Sequence, residues 1–198
     1  MSTFLAYFTR GPYYGDMPKL IVFLGNPGIQ YRNTRHNAGW LVCDHMTRIP
    51  GFGGSWQEKF HGRFLKSGNA VLLKPMTYMN ESGLPVREAS AFFGIKPEDI
   101  LVVHDDIELG FGQVRCRLGG GMGGHNGLRS VRQHLGTEKF GRLRIGVGRP
   151  PAVMQVADYV LGRFSEIEEK QLESILDNAA ETAVQYISDS IRILRENI

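Results

Sequence analysis

Residues 19–28 read KLIVFLGNPG, an apolar run followed directly by a turn. The run from Lys19 to Leu24 suits a strand buried on both faces, because strands in a sheet covered by helices on each side need no polar alternation. Gly25 to Gly28 then has the composition of a turn. These residues predict a first buried strand that ends in a loop, and such loops often carry function.

Strand-like and helix-like patterns alternate along the rest of the chain. Further strands are predicted over 70–74, 100–103, 113–117 and 142–147, and helices over 34–46, 81–93, 128–135 and 165–194. Ser165 and Glu168 fit a capping box at the start of the last helix. The alternation predicts a single α/β domain in which helices flank a mixed, mostly parallel sheet. Ligands of such sheets usually bind at the carboxyl ends of the strands, where Asn26, His36 and Asp105 fall.

The folded domain is expected to span residues 19–198. Residues 1–18 are expected to be a disordered or mis-assigned N-terminal extension, because residues 1–16 lack the continuous apolar core of a secretory signal. Met17 directly precedes the first strand, so we expect natural translation to start there. No run approaches the roughly 20 consecutive apolar residues of a membrane helix, which excludes a membrane span. Cys43 and Cys116 fit no CxxC spacing and predict reduced thiols in a cytoplasmic protein.

Charge is distributed unevenly along the chain. The net charge is +3, but residues 1–150 carry 19 Lys and Arg against 11 Asp and Glu, whereas residues 151–198 carry 4 against 9. A basic body with an acidic end fits a polyanionic partner, and it fits equally a solvated surface that ends in an acidic helix. Charge alone leaves both interpretations open.

The glycine-rich stretch LGGGMGGHNG occupies residues 118–127. It is not a P-loop, because no Gly-Lys-Ser/Thr follows the glycines. A dinucleotide site would require an acidic residue about 20 positions on, and none is well placed. Two interpretations remain. The stretch is either a flexible turn or a backbone that approaches a ligand closely and presents His125 and Asn126 from a helix start.

Histidines and carboxylates supply candidate chemistry. His36, His104 and His125 with Asp105 and Asp106 could be ligands for zinc or manganese, although their spacing matches no HExxH pair. One His near one Asp, with no positioned Ser or Cys nucleophile, instead favours general-base activation of water, in which the carboxylate orients the imidazole.

Three asparagines, Asn26, Asn80 and Asn126, stand in polar, turn-like contexts. Their side chains could bond the local backbone, as asparagines in turns usually do. Their amides could equally donate to or accept from an ester and its neighbouring groups. Spacing in the sequence does not decide between these roles.

Six motifs in one order resemble the bacterial peptidyl-tRNA hydrolase family. They are GNPG at 25–28 with Tyr31, TRHNAG at 34–39, KPMTYMNESG at 74–83, VHDD at 103–106, the glycine-rich stretch at 119–127 and RLRIG at 142–146. The resemblance runs from Lys19 through nearly the whole chain. It implies a cofactor-independent carboxylic ester hydrolase that cleaves the ester between a peptide and the ribose of a tRNA acceptor end, which recycles tRNA from aborted translation.

The resemblance also implies roles for individual residues. His36 would be the base that takes a proton from water, and Asp105 would stabilise its working form. Asn26 would distinguish a blocked, peptide-bearing amine from a free one. Asn80 and Asn126 would contact the peptide backbone and the acceptor end, and either amide could donate to the oxyanion.

Further residues would hold the rest of the substrate. His125 would help to shape the pocket, Tyr31 and Tyr78 would stack on an unpaired terminal base, and Met79 would line the peptide side or simply belong to the core. Arg117 and Arg144 would bind tRNA phosphate, which gives affinity without sequence readout. Four arginines belong to the same local cluster: Arg115, Arg129, Arg132 and Arg142.

One position departs from the family pattern, because Met122 stands where many members carry histidine. The family further implies a monomer with no membrane association and no obligate protein partner. Two rivals stay open. One is a non-catalytic RNA-binding protein that keeps the basic face, and the other is a metal-dependent hydrolase.

Overall fold

The computed structural model describes residues 18–196, with side chains up to residue 189. The strands of this range are β1 (Lys19–Phe23), β2 (Gln57–Lys59), β3 (Gly62–Ser67), β4 (Ala70–Pro75), β5 (Ile100–Asp106), β6 (Val114–Leu118) and β7 (Gly141–Gly146). The helices are α1 (Ala38–Met46), α2 (Gly83–Phe93), α3 (Asn126–Leu135), α4 (Val156–Leu161) and α5 (Glu166–Glu196). The N-terminal extension and the expected start at Met17 lie outside the described residues.

All seven strands of the described range form one sheet, in the order β2-β3-β4-β1-β5-β7-β6. The four central strands, β4, β1, β5 and β7, run parallel. Strands β3 and β2 continue one side antiparallel, and β6 does so on the other. The prediction of one α/β domain with a mixed sheet is confirmed, with the parallel part at its centre. The carboxyl ends of β1, β5 and β7 consequently lie side by side.

Helices cover both faces of the sheet, as the unbroken apolar run of β1 requires. Ile21 and Phe23 pack into the core on the side of α1 and α5. Leu20 and Val22 pack into the core on the side of α2 and α3. Because each strand residue contributes to one core or the other, a polar residue inside β1 would lack a hydrogen-bonding partner.

Several predicted element boundaries are confirmed and others shift. Helix α2 stops at Phe93 because Gly94 adopts the left-handed conformation, with φ at 65°. The capping box at the start of α5 is present: Ser165 N–H donates to Glu168 Oε2 at 2.6 Å, and Glu168 N–H donates to Ser165 Oγ at 3.3 Å. The helix predicted over 34–46 was placed too early, because residues 35–37 form a 3₁₀ turn and α1 begins at Ala38.

Within the described range, no helix has both the length and the apolar character needed to cross a membrane. Helix α5 departs from helical geometry at Asp189, with φ at −152° and ψ at 69°. Cys43 and Cys116 are buried free thiols, as predicted.

Gly39 lets the start of α1 touch the ends of two strands. A Cβ at this position would lie 2.5 Å from the carbonyl oxygen of Leu24 and 2.6 Å from that of Val103, which is closer than real Cβ contacts allow. We expect Gly39→Ala to lower the free energy of unfolding by about 1–3 kcal/mol, the usual cost of overpacking. Urea denaturation measures this. Gly110→Ala is the control, because its nearest neighbour would lie at 3.7 Å, and equal stability of the two variants would contradict the close-packing argument.

Candidate active site

A cavity of about 930 Å³ opens where β1, β5 and β7 end. It brings together most of the side chains that the sequence singled out, from segments far apart in the chain. Those that line it are Asn26, His36, Tyr78, Met79, Asn80, Asp105, Arg117, His125, Asn126 and Arg144. Tyr31 does not line the cavity and lies in the short turn Ile29–Tyr31.

Asp105 accepts hydrogen bonds from two imidazoles on one carboxylate oxygen. Its Oδ1 lies 2.9 Å from His36 Nδ1 and 3.1 Å from His125 Nε2. Asp105 is buried at the end of β5. His36 comes from the 3₁₀ turn before α1, and His125 is the N-cap residue of α3. Three segments therefore meet at a single oxygen atom.

The N-terminus of α3 determines which nitrogen of His125 carries a proton. His125 Nδ1 accepts the backbone N–H groups of Gly127 and Leu128, at 3.1 and 3.4 Å, so it carries no hydrogen. Its Nε2 therefore bears the N–H that donates to Asp105. His36 lines the cavity and donates to the same carboxylate from Nδ1, so in its neutral form Nε2 carries no hydrogen. His36, and not His125, thus presents a nitrogen that can accept a proton.

The environment of each group sets its protonation state. Burial would lower the pKa of His36, but the charge of Asp105 and its hydrogen bond outweigh burial and raise that pKa above 6.5. Burial would raise the pKa of Asp105, but His36 and His125 hold it well below its usual range. Burial lowers the pKa of His104 to about 3, assisted by His125. At neutral pH the site therefore holds an ionised carboxylate beside a neutral His104.

His36, Asp105 and His125 offer a possible set of metal ligands, with their donor atoms within 4.8 Å of one another. For His125 Nε2 to bind a metal ion, the proton would have to move to Nδ1, and the two backbone N–H groups of α3 would lose their acceptor. The hydrogen bonding of His125 therefore does not fit a metal centre.

Asn26 is held by the neighbouring 3₁₀ turn through a residue that the sequence analysis did not single out. The side-chain amide of Asn37 accepts the Asn26 backbone N–H at 2.9 Å and donates to its carbonyl oxygen at 3.0 Å. Asn26 Oδ1 in turn accepts the backbone N–H of Met79 at 2.8 Å. The side-chain NH₂ group of Asn26 is thus the part left for a ligand. The sequence feature that could have pointed to Asn37 is its position directly after His36 in TRHNAG.

The remaining cavity side chains differ in exposure. Met79 is buried, whereas Asn80 and Tyr78 are exposed. Asn126 Oδ1 accepts from Arg129 Nη2 at 2.5 Å, so its NH₂ group remains available as a donor. Met122 packs against the core on the side of α2 and α3, and its sulfur lies 3.8 Å from Arg142 Nη2.

Arginines face one another across the antiparallel pair β6–β7. Arg115 lies opposite Arg144, and Arg117 lies opposite Arg142. Like charges directly opposite each other destabilise a sheet. In this pair of strands the four arginines have different environments. Arg144 Nε donates to Asp106 Oδ2 at 2.7 Å, Arg142 is buried, and Arg115 and Arg117 are exposed. Asp106, which the sequence offered only as a possible metal ligand, therefore holds an arginine of the basic cluster.

Arg35 ties the turn that carries His36 to the C-terminal part of the chain. Its Nη1 donates to the carbonyl oxygen of Arg163 at 2.6 Å, and its Nη2 donates to Glu168 Oε2 at 2.7 Å. The guanidinium also lies 4.2 Å from the ring centre of Tyr159. A buried arginine thus links the turn that carries His36 to α4 and to the start of α5.

Comparison with known proteins identifies the family. The family model described as peptidyl-tRNA hydrolase matches residues 20–197. The peptidyl-tRNA hydrolase of Sulfurovum sp. is 46% identical over 172 residues, which cover 87% of this chain and 90% of that protein. The one of Gloeobacter violaceus is 46% identical over 179 residues, covering 87% and 89%. The crystal structure of the peptidyl-tRNA hydrolase of Acinetobacter baumannii aligns with a TM-score of 0.75 at 36% identity, over 93% of this chain and 92% of that one.

The family match over residues 20–197 spans the segments that line the cavity, and the aligned structure covers 93% of this chain. The resemblance drawn from the six motifs is therefore confirmed. The chain belongs to the peptidyl-tRNA hydrolase family.

Proposed function

We propose that His36 is the general base with which this chain carries out the reaction of its family, the hydrolysis of peptidyl-tRNA that releases tRNA. His36 Nε2 takes a proton from water, and the water oxygen attacks the carbonyl carbon of the ester. The proton then passes to the ribose oxygen as the ester bond breaks. The observation that carries the proposal is the hydrogen bond from His36 Nδ1 to Asp105, because it leaves Nε2 as the free acceptor on the cavity wall.

Asp105 stabilises the imidazolium that forms when His36 takes the proton, since the carboxylate stays ionised. The tetrahedral intermediate needs a hydrogen-bond donor at its oxyanion. The NH₂ group of Asn126 is our first candidate, because Arg129 occupies its carbonyl oxygen. Asn80 is the second, and it joins His125 and Met79 in shaping the peptide side of the cavity.

Asn26 supplies a physical reason for selecting N-blocked substrates. Its carbonyl oxygen is occupied by Met79 N–H, so it offers only an NH₂ donor to the cavity. That donor can bond the carbonyl oxygen of a peptide link. A free α-ammonium group has only hydrogen-bond donors, so it cannot accept a bond from the NH₂ group of Asn26. The result is discrimination against unblocked aminoacyl-tRNA.

The tRNA is bound on the side of β6 and β7. Arg117 and Arg144 line the cavity and are proposed to contact phosphate, while Tyr78 and Tyr31 are proposed to stack on unpaired bases of the acceptor end. Three further arginines of the basic cluster extend this surface: Arg115, Arg129 and Arg132. We further propose that the chain acts as a monomer without a cofactor. We also propose that it acts in the cytoplasm, where its tRNA substrate is found and where free thiols such as Cys43 and Cys116 stay reduced.

The proposal is tested by comparing tRNA release from N-acetylated and from unblocked aminoacyl-tRNA, with chelator present. Rapid cleavage of the blocked substrate alone is the expected result. Binding of both substrates without cleavage would favour the non-catalytic RNA-binding rival. Activity lost to chelator and restored by zinc or manganese would favour the metal-dependent rival.

The rate should depend on pH through His36. The base works only when it is neutral, and Asp105 raises the pKa of His36 above 6.5. We therefore expect kcat to be constant at high pH and to fall tenfold per pH unit once the pH drops below that pKa. A pH–rate profile with N-acetylated aminoacyl-tRNA measures this. A midpoint below 6.5 would contradict the proposed coupling between the two residues.

A further inference from the structure

The glycine-rich stretch is held by a buried guanidinium. Arg142 Nη1 donates to the carbonyl oxygen of Gly121, and Nη2 donates to that of Gly120, both at 2.6 Å. Arg142 is 2% exposed, and no carboxylate of the described residues lies within ion-pair distance of it. A buried charge of this kind is costly unless hydrogen bonds compensate for the lost water. Here those bonds go to two successive carbonyl groups of one loop.

Gly120 connects that loop to a tRNA-binding side chain. Its φ is +100°, and a Cβ there would lie 2.5 Å from Cζ and from Nη2 of Arg117. The Arg117 guanidinium therefore rests directly against the Gly120 backbone. No described residue forms a hydrogen bond or ion pair with Arg117. Packing on Gly120 is thus what sets the direction of an otherwise unpaired, exposed guanidinium.

We propose that Arg142 is a positioning residue for tRNA binding, which holds the backbone of Gly120 and Gly121 so that Gly120 supports Arg117 in the orientation that meets phosphate. The inference rests on the phosphate-binding role proposed above for Arg117. It gives Arg142 a task different from that of its neighbours in the arginine cluster. Arg142 acts through the loop and does not itself bind the substrate.

The shape of arginine suits this task. Its planar fork presents two nitrogens to two adjacent carbonyl groups, whereas a lysine ammonium is a single point that cannot hold both in the same geometry. Burial and the nearby charge of Arg117 together lower the pKa of Arg142 to about 10. The side chain therefore remains charged at neutral pH, and its donors are strong.

The active-site end of the same loop has its own anchors. His125 is held by Asp105, by the N-terminus of α3 and by its backbone N–H bond to Met122, at 2.8 Å. Gly123 and Gly124, which lie between the two ends, would meet nothing within 4 Å of an added Cβ. A disturbance at Gly120 is therefore expected to affect tRNA binding and to leave the proton-transfer geometry in place.

Two independent variants test the inference. Arg142→Lys keeps the positive charge but removes the planar guanidinium group. Gly120→Ala keeps the Arg142 side chain but places a methyl group against the Arg117 guanidinium. We expect each to raise KM for N-acetylated aminoacyl-tRNA by about tenfold, with kcat within about twofold. Each should also reduce the slope of log KM against log salt by about 0.7–0.9, the loss of one phosphate contact. Hydrolysis of N-acetylaminoacyl-adenosine, which carries no phosphate, should be retained and thus reports an intact site.

The comparison with Arg117→Met separates positioning from direct contact. If Arg142 acts through Arg117, the double variants Arg117→Met/Arg142→Lys and Arg117→Met/Gly120→Ala will be no worse than Arg117→Met alone. Additive losses, or a normal KM for either single variant, would overturn the inference while leaving the proposed function intact. An unchanged KM for Arg117→Met would overturn the phosphate role itself and this inference with it. Arg48→Met is the control, because it removes an exposed positive charge at the far end of α1.

Discussion

His36→Ala is expected to lower kcat for N-acetylated aminoacyl-tRNA by about 100-fold or more, the usual scale for a lost general base. The variant removes the nitrogen that accepts the proton of the attacking water, and His125 cannot replace it. The Nε2 of His125 carries a hydrogen, and its Nδ1 is occupied by two backbone N–H groups of α3. Single-turnover measurements at saturating enzyme isolate the chemical step.

The chain contains a matched control for this experiment. His45 pairs with Asp177 through its Nδ1 at 2.6 Å, an imidazole–carboxylate pair like that of His36 but between α1 and α5. His45→Ala should leave kcat within about twofold, since His45 does not line the cavity. A folded His36→Ala protein with nearly normal turnover would end the general-base proposal. Folding is checked by thermal unfolding of both variants.

Asp105→Asn is expected to lower kcat by about 100-fold, because the developing imidazolium of His36 loses its counter-charge. The amide oxygen can still accept both imidazole N–H groups on the Oδ1 side, so the geometry should survive. In the unmodified protein, Asp105 raises the pKa of His36. Its removal should therefore move the acid limb of the pH–rate profile to lower pH while the plateau falls. A pH–rate profile of the variant measures both effects at once.

Asp106→Asn is the control for the loss of a carboxylate at the same strand end. The Asp106 carboxylate accepts a hydrogen bond from Arg144 and none from a histidine. Asp106→Asn should therefore raise KM for N-acetylated aminoacyl-tRNA and leave the acid limb of the pH–rate profile in place. If Asp105→Asn lowered kcat with no shift of the limb, Asp105 would have a structural role and the electrostatic account would fail. Equal pH profiles for the two variants would lead to the same conclusion.

Much of the fold follows from local pattern. The apolar run of β1 predicted a strand buried on both faces, and the capping box at Ser165 predicted where α5 starts. Strands β2 and β3 were missed, because β2 is three exposed polar residues with no alternation to detect. Strand β3 pairs with β4 and β2 pairs with β3, so both strands depend on neighbours in the sheet and not on their own sequence.

The candidate site was predictable as a set of residues but not as an arrangement of atoms. The family motifs pointed to His36, Asp105 and the three asparagines. That one carboxylate oxygen accepts two imidazoles follows only from the meeting of β5, α3 and the 3₁₀ turn. The available NH₂ group of Asn26 likewise depends on Met79, which lies 53 positions away. Arg142 belonged to a basic cluster in the sequence, yet the fold buries it beneath the glycine-rich stretch.

The link made by Arg35 bears on when a newly synthesised copy becomes active. Its partners, the Arg163 carbonyl group and the Glu168 carboxylate, follow all seven strands in the chain and so leave the ribosome after the whole sheet. Until these two residues emerge, the turn that carries His36 lacks the hydrogen bonds that Arg35 makes with them. An enzyme that acts on unfinished peptides attached to tRNA is thus incomplete while it is itself such a peptide.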